Sequence, residues 1–590
     1  MSVDHQEIEM KQGSWRKLAL NPLRPAFNTA ALIIAAIVFQ HPAWTYNKPA
    51  EARVENGTEA KVDQLFAEWN KPDSPGAALV VVKNGSIIYK KGYGIANLEY
   101  DIPITPSTVF HVASVSKQFT AFAILMLAKQ GKLSLDDDIH KYLPELPDYG
   151  ETITIRHLCH HTSGLRDQWE LLAMAGWRLD DVITKEQILK IVRHQKELNF
   201  EPGTEFLYSN TGFTLLAVIV ERVTGQSFRQ WTADNILKPL GMNNTHFHDD
   251  HEMIVKNRAY SYSSEPGGGF KLSALNYANV GATSLFTTVE DMAKWITNFE
   301  DMKVGGPAVI NQMTEQAVLN NGKKIDYAFG LSVGEYRGLK TVSHAGGDAG
   351  YRSYVVRFPD QKLGIAVFSN LGSFDPVRLA NEVAGVYLAD SLQPAKATVT
   401  ASAPDHPAKV DPAILQSYVG KYKASDSPIV SIVMEDAGLT LVYGGMLRSP
   451  MIPRTDSSFF VQAIGRDVEF KKHGTVLVTG LVVKSANDNT ELARLDPAPL
   501  SSDKLKDFVG DYYSDELGTV YSIVVKDGEL IAQHRRQDDI ALTHLSADEF
   551  SGSAWWFQSV KFSRDSSGKV TGFRLTGSRV RNVRFDKHPM

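Results

Sequence analysis

An internal repeat in the last third of the 590-residue chain constrains its fold more than any other feature. Leu415-Gln-Ser-Tyr418-Val419-Gly420-Lys421-Tyr422 returns 90 residues later as Leu505-Lys-Asp-Phe508-Val509-Gly510-Asp511-Tyr512. Ser431-Ile-Val-Met-Glu-Asp returns 91 residues later as Ser522-Ile-Val-Val-Lys-Asp. A fixed period with one insertion between matching blocks marks two copies of one domain. Both copies read as short alternating strands separated by turn residues, an all-β pattern. Such strands expose unpaired edges unless the sheet closes on itself. The expectation is therefore two small antiparallel β-barrels, at 411–498 and 501–590.

Upstream the character differs. Residues 393–410 are rich in Ala, Pro, Ser and Thr without periodicity and read as a linker. From 58 to 392 helical and strand patterns alternate, which predicts one large mixed unit. Val62, Leu65, Phe66 and Trp69 have helical spacing between Thr58 and Asn70. Gly76–Val82 is a short apolar strand. Asn84-Gly85 signals a hairpin turn into Ser86–Tyr89. Helices are expected at Lys185–Val192 and at Thr211–Val223, the second closed by Gly225, and another starts at a Thr288 cap with Asp291 three residues on. Ser353–Arg357 and Leu363–Phe368 read as adjacent strands joined by a Pro359-Asp360 turn.

The chemistry-bearing stretch is His111-Val-Ala-Ser114-Val-Ser116-Lys117-Gln-Phe119, at the head of an apolar run ending near Leu127. It predicts a buried helix with Ser114 on its first turn. Residues three apart share a helix face, so Ser114 and Lys117 are within reach of each other. A serine hydroxyl needs a base before it is a nucleophile, and a desolvated lysine amine can serve. Ser501-Ser-Asp-Lys504 and Ser566-Ser-Gly-Lys569 have the same spacing, but in polar, turn-like surroundings that keep a lysine protonated.

Two remote stretches complete the set. Glu201-Pro-Gly-Thr-Glu-Phe-Leu-Tyr208-Ser-Asn210 places a phenol able to shuttle protons beside an amide able to bind a substrate carbonyl. Tyr277-Ala-Asn279 is a competing pair without the Pro-Gly lead. Ser343-His344-Ala345-Gly346-Gly347-Asp348 is small enough to let a substrate backbone lie along a sheet edge, and the N–H groups of Ser114 and Gly347 can form an oxyanion hole.

In their order, Ser114-x-x-Lys117, Tyr208-x-Asn210 and His344-x-Gly346 resemble the motifs of the serine β-lactamase/penicillin-recognising superfamily, in its class C, esterase and D-peptidase branch. His157-Leu-Cys-His-His161-Thr-Ser-Gly-Leu165, Pro239-Leu-Gly-Met242, and Pro359-Asp360 followed by Gly364-Ile-Ala-Val367 fit as well. The resemblance spans about 58–392. It implies an α+β fold: a catalytic domain with an antiparallel sheet flanked by helices plus an all-helical part, followed here by the two barrels. It also implies acyl transfer without a cofactor. Ser114 attacks, Lys117 and Tyr208 move the proton, and Asn210, His344, Gly346 and Gly347 bind substrate. The segment holding His157, Cys159, His160 and His161 then reads as the family's helix–turn phrase rather than a metal site.

One departure matters. Many relatives carry Lys-Thr-Gly where this chain has His344-Ala-Gly346, and that lysine holds a substrate carboxylate. A histidine is only partly charged near neutral pH, so β-lactamase or D,D-carboxypeptidase activity becomes less favoured. His-x-Gly and paired C-terminal barrels resemble D-aminopeptidases, in which a barrel loop reaches the active site. The leading expectation is a serine hydrolase of amide or peptide bonds. A carboxylesterase on the same scaffold stands as the alternative, and a non-catalytic penicillin-binding scaffold is the reading from another class.

The termini and composition set the remaining bounds. Arg16, Lys17 and Arg24 precede a 14-residue apolar run, Ala26–Phe39, shorter than the roughly 20 residues that span a bilayer. Residues 1–52 read as a signal peptide, with cleavage near Ala43 or Ala52, or as an uncleaved anchor. This predicts export to a bacterial periplasm or beyond. A single cysteine, Cys159, rules out an intrachain disulfide. A net charge of −5 gives no electrostatic case for nucleic acid. The expected partners are a small peptide, amide or ester substrate and, through the anchor alone, a membrane; monomer and homodimer both stay open.

Overall fold

The computed structural model describes residues 57–588, apart from residue 266 and the stretches 395–403, 405–406, 425–428, 436–437, 444–446, 462–463, 474–476, 485–488 and 496–499. The apolar run at 26–39 and most of the 393–410 linker lie outside the described residues. Among the described residues no helix is long and apolar enough to cross a membrane.

The centre of the catalytic domain is a six-stranded antiparallel sheet. Its strands are β1 (Ala77–Lys83), β2 (Ser86–Tyr93), β3 (Ser332–Tyr336), β4 (Leu339–Asp348), β5 (Tyr351–Phe358) and β6 (Leu363–Ser369), in the order β3-β4-β5-β6-β1-β2. The two ends of the domain thus meet in mid-sheet, with Val80 opposite Ala366. Asn84 and Gly85 turn β1 into β2 with φ of +50° and +73°, the paired positive values of a tight hairpin turn. β1 reads as an unbroken apolar run because both its faces are covered. Ala77, Leu79 and Val81 pack on α1 (Gly57–Phe66) and a C-terminal helix, Pro376–Tyr387, through Phe66, Leu379 and Val383. Ala78, Val80 and Val82 face the main core.

That core is built on α2 (Ser116–Lys129), α3 (Gln168–Met174), α4 (Asn210–Thr224) and α5 (Val289–Asp301). Phe119 of α2 stacks on Trp295 of α5 at 4.2 Å. Thr288 caps α5 by accepting from Asp291 N at 3.1 Å, and Gly225, at φ +69°, closes α4. The first helix is shorter than its periodicity predicts. It ends at Phe66, and Lys71-Pro72 follows, which disfavours helix at residue 71. Trp69 still packs, edge-on to Phe374 at 4.7 Å.

Beyond the linker stand two closed antiparallel barrels of eight strands each. The first runs from Gly420–Lys423 to Thr490–Leu495 and closes by pairing Tyr422 with Arg494. The second runs from Gly510–Ser514 to Val583–Lys587 and closes at Tyr512 and Lys587. The fold is therefore α+β with two C-terminal barrels. The second barrel's core, around Phe573 and Phe585, is continuous with the catalytic core, while the first barrel's core around Tyr418 and Phe470 is a cluster of its own.

Candidate active site

Ser114 does not sit on the first turn of α2. It occupies a 3-10 turn, Ala113–Val115, and the α-helix begins at Ser116. Ala113 adopts φ +47°, a left-handed conformation that costs a non-glycine residue about 1 kcal/mol. The surroundings hold it there. Val112 N donates to Leu285 O at 3.0 Å, and Val112 O accepts from Ser353 Oγ on β5 at 2.8 Å. Ser116, expected only to pack, donates to Ala113 O and accepts from Leu285 N at 3.0 Å, so it pins the nucleophile's turn to a neighbouring strand.

Lys117 is fully buried. Its Nζ lies 3.1 Å from Ser114 Oγ, 2.8 Å from Asn210 Oδ1 and 2.7 Å from Ala282 O. Burial is the largest influence on its amine and lowers its pKa to about 7; Arg579 adds to the lowering, and Asp167 and Asp348 oppose it. Near neutral pH a large fraction of Lys117 is thus an unprotonated amine beside the serine hydroxyl. Gly330, with φ +68°, is required here: a Cβ there would come within 2.5 Å of Lys117 O.

Tyr208 presents the face of its ring to Lys117 Nζ, 4.8 Å from the centroid. Its hydroxyl is buried and unpaired, and burial raises its pKa. The Ser114 hydroxyl and Arg579 act the other way, although the two hydroxyls stand outside hydrogen-bond geometry. The ring is held against His161 at 4.1 Å. His161 accepts from Ser209 N through Nδ1, so the proton is on Nε2, and burial lowers its pKa well below the usual value.

Asn210 is oriented by Asp167, whose Oδ2 accepts from Asn210 N and Nδ2, both at 2.7 Å. This fixes the amide with its oxygen toward Lys117 and leaves the second amide hydrogen, on a side chain that lines the cavity. The other oxygen of Asp167 caps α3 at Trp169 N, 3.0 Å. Sequence reasoning missed Asp167. Asp167 followed three residues later by Glu170 is a helix-start signal, but nothing local links it to Asn210.

Strand β4 forms the opposite wall. Gly346 is required by close approach, since a Cβ would lie 2.4 Å from both Val112 O and Ser353 Oγ and 3.1 Å from Ser114 N. Gly347 is exposed on the same edge. His344 is buried. Its Nδ1 donates to Ala345 O at 2.6 Å, so Nε2 accepts from Tyr327 Oη at 3.0 Å. Burial lowers its pKa to about 3, with Lys117 adding to the effect. The partial charge that a solvated histidine would carry at this position is therefore absent.

The remaining predicted features separate cleanly. His157 closes a capping box at Thr154, His160 lies edge-on to Phe329 at 4.4 Å and Cys159 is buried, so this segment's side chains serve separate contacts. Of the competing motifs, Ser501 caps a short surface helix and Ser566-Lys569 forms an exposed turn. Tyr277 lines the cavity but stacks on Trp169 at 4.6 Å, while Asn279 is buried on Thr214.

Ser114, Tyr208, Asn210, His344, Gly346 and Gly347 line one cavity of about 910 Å³. The second barrel supplies part of its wall with Trp555, Ser578 and Arg579. Two barrel loops, which sequence could not identify, reach the site: 553–558, which carries Trp555, and 577–582, between the last two strands. Glu170 holds the latter by accepting from Ser578 N at 2.7 Å and Arg579 N at 2.5 Å. Asn199 donates to Arg579 O at 2.9 Å and accepts from Arg581 N at 2.8 Å. Beside it, Arg166 and Glu516 form an ion pair at 2.6 Å with side chains 0% and 4% exposed.

A serine hydroxyl, a buried lysine of lowered pKa and a buried phenol, set beside an antiparallel sheet, are a combination able to support acyl transfer. The Beta-lactamase family model matches residues 59–388, and the chain belongs to that family, a superfamily of serine hydrolases. Penicillin-binding protein 4* of Bacillus subtilis is 29% identical over 69% of this chain and 92% of its own length. A D-aminopeptidase of Gluconobacter oxydans is 26% identical over 90% of this chain and 98% of its own. Among solved structures, the octameric penicillin-binding protein homologue of Pyrococcus abyssi superposes with a TM-score of 0.54, at 23% identity over 81% of this chain and 98% of its own, a likeness of fold.

Proposed function

We propose that the protein is a D-aminopeptidase-like hydrolase that cleaves amide bonds in small, unusual peptides through an acyl-enzyme on Ser114. The observation that carries this reading is the Ser114–Lys117 pair under the second barrel's loop: a base of pKa about 7 beside the nucleophile, in a cavity walled by Arg579 and Trp555. Such a wall favours short substrates over polypeptide chains. The near full-length match to a D-aminopeptidase supports the same reading.

The geometry supports these steps. Lys117 Nζ takes the Ser114 proton as Oγ bonds to the substrate carbonyl carbon. The N–H groups of Ser114 and Gly347 stabilise the oxygen that gains charge, and the second amide hydrogen of Asn210 holds a neighbouring substrate carbonyl. Tyr208 donates its proton to the departing nitrogen and regains one from Lys117. Water then attacks the acyl-enzyme and the same groups return the proton to Ser114. The basic flank and the apolar run at 26–39 support export of this activity from the cytoplasm; fractionation that leaves the activity in the cytosol would remove that part.

Two measurements test the reading. Ser114→Ala abolishes labelling by a fluorophosphonate probe, and continued labelling would remove Ser114 as the nucleophile. D-alanyl p-nitroanilide is turned over with a higher kcat/KM than p-nitrophenyl butyrate or nitrocefin. Turnover of the ester alone would replace the peptidase by an esterase.

A further inference from the structure

Three arginines leave the last hairpin of the second barrel toward the catalytic domain, and two of them are paired: Arg574 with Glu197 at 2.9 Å and Arg581 with Glu205 at 3.0 Å. Arg579, between them, is different. Its backbone is fixed at both ends by Glu170 and Asn199, so the side chain has no part in anchoring the loop. Its guanidinium lies 5.0 Å from the centroid of the Tyr208 ring and lines the cavity. Among the described residues it makes no ion pair and its guanidinium donates no hydrogen bond.

The cavity's own carboxylates are engaged elsewhere. Asp167 binds Asn210 and the start of α3. Glu170 binds the loop backbone. Asp348 accepts from Thr283 Oγ1 at 2.9 Å and lies 3.3 Å from His111 Nε2. The other guanidinium in the cavity, Arg352, donates to Tyr351 O at 2.7 Å and Ala349 O at 3.1 Å. Arg579 is thus a fixed, half-buried cation beside the nucleophile without a protein anion to match it.

We propose that Arg579 is the substrate's anion site and pairs with a carboxylate that the substrate carries in addition to its scissile amide. The planar guanidinium fork matches a carboxylate's two oxygens, and a partly desolvated site strengthens the pair. Tyr208 neighbours both Arg579 and Ser114, so the carboxylate belongs to a small molecule and stands close to the bond that breaks. This rests on the amide-hydrolase reading above and narrows it to acidic or carboxylate-terminated substrates.

The first test needs no turnover. In the Ser114→Ala full-length protein, calorimetric titration compares N-acetyl-D-alanine with its neutral amide. The acid binds about tenfold or more tightly than the amide. Adding Arg579→Gln makes the two bind alike, and Arg579→Lys retains part of the difference. Equal binding in the Arg579 protein, or a preference that survives Arg579→Gln, overturns the proposal. The second test is kinetic. D-alanyl 4-nitroanilide is compared with its N-succinyl derivative, which adds a carboxylate to the acyl side, and with D-alanyl 3-carboxy-4-nitroanilide, which adds it to the leaving group. One of the acidic substrates shows a KM about tenfold lower than the neutral one, and Arg579→Gln removes that gain alone; the substrate that benefits identifies the side. Turnover without a carboxylate preference defeats the Arg579 proposal and leaves the hydrolase. A carboxylate preference in binding without any amide turnover defeats the hydrolase and leaves the Arg579 site.

Discussion

The two barrels descend from one repeated sequence and fold alike, yet among the described residues only the second lines the catalytic cavity. Each has the same internal brace. Tyr422 Oη donates to Tyr418 O at 2.8 Å, and Tyr512 Oη donates to Phe508 O at 2.7 Å. Each packs aromatic rings around its sixth strand, Tyr418 stacked on Phe470 at 3.9 Å and Phe508 tilted against Phe562 at 4.7 Å. The difference lies in the loops. The second barrel extends Glu516 into a buried pair with Arg166 and lays 577–582 over the active site. The first meets the second through Lys423 and Glu549, 3.6 Å apart. Repeated core positions fix the barrel, and loop residues outside the repeat decide whether it takes part in chemistry.

The comparison breaks most sharply at the aromatic cores. Phe470→Ala and Phe562→Ala each delete a buried ring, 4% exposed in both barrels, and each is expected to cost about 3–5 kcal/mol. Their effects on activity diverge: loss of turnover tracks unfolding in Phe562→Ala and is absent in Phe470→Ala. Hydrogen exchange resolved by peptide separates the transitions, because the first barrel has no tryptophan to report on it by fluorescence. Equal losses of activity would mean that the first barrel also supports the site.

Next is the docking pair. Glu516→Gln takes from the buried Arg166 guanidinium its close counter-charge and leaves only the more exposed Glu197, 3.6 Å away, a change that costs about 3 kcal/mol. The cost appears as a lower urea midpoint in the tryptophan fluorescence, which reports the catalytic domain and the second barrel, together with lost activity. Neutralising Glu549 at the contact between the barrels, where both side chains are 30% exposed, costs less than about 1 kcal/mol and leaves activity unchanged.

How far the sequence reaches follows from the same contrast. The hairpin at Asn84-Gly85, the Thr288 cap, the adjacent strands β5 and β6 and both barrels are legible because each is written in local turn residues or in a repeat. Ser114, Lys117, Tyr208, Asn210, His344, Gly346 and Gly347 meet at one cavity or its edge as three spaced motifs. The rest of the site is tertiary. Ala282 contributes a backbone oxygen, which any residue has. Arg579 reaches the cavity through a partner, Glu170, 409 residues away in sequence. His344 reads as partly charged until its burial, and its bonds to Ala345 and Tyr327, make it neutral.

Arg579 also ties the second barrel to the pH dependence of the reaction. In the proposed mechanism Lys117 acts as a base only when unprotonated, so kcat with a neutral substrate is expected to rise with pH through about 7. The groups acting on it are the anions Asp167 and Asp348 and the cation Arg579, with His161 and His344 neutral nearby. Removing the cation in Arg579→Gln makes proton binding easier and moves the acid limb to higher pH. Arg448→Gln, beside the groove between the barrels, leaves that limb in place. A limb that does not move in Arg579→Gln would detach the loop from the base.

The smallest expected difference is the most direct control on the repeat. Tyr422→Phe and Tyr512→Phe each delete one hydroxyl and its hydrogen bond to a main-chain carbonyl, leaving the ring in place. The carbonyls of Tyr418 and Phe508 lose a donor in a buried setting, so each change costs about 1 kcal/mol. Since the two braces have matching lengths and fully buried rings, the costs should agree to within about 0.5 kcal/mol. Hydrogen exchange resolved by peptide places each loss in its own barrel, and only Tyr512→Phe loosens 577–582 as well. A Tyr512→Phe loss that spreads through the first barrel as well would show that the first has no stability of its own and is held up by its copy.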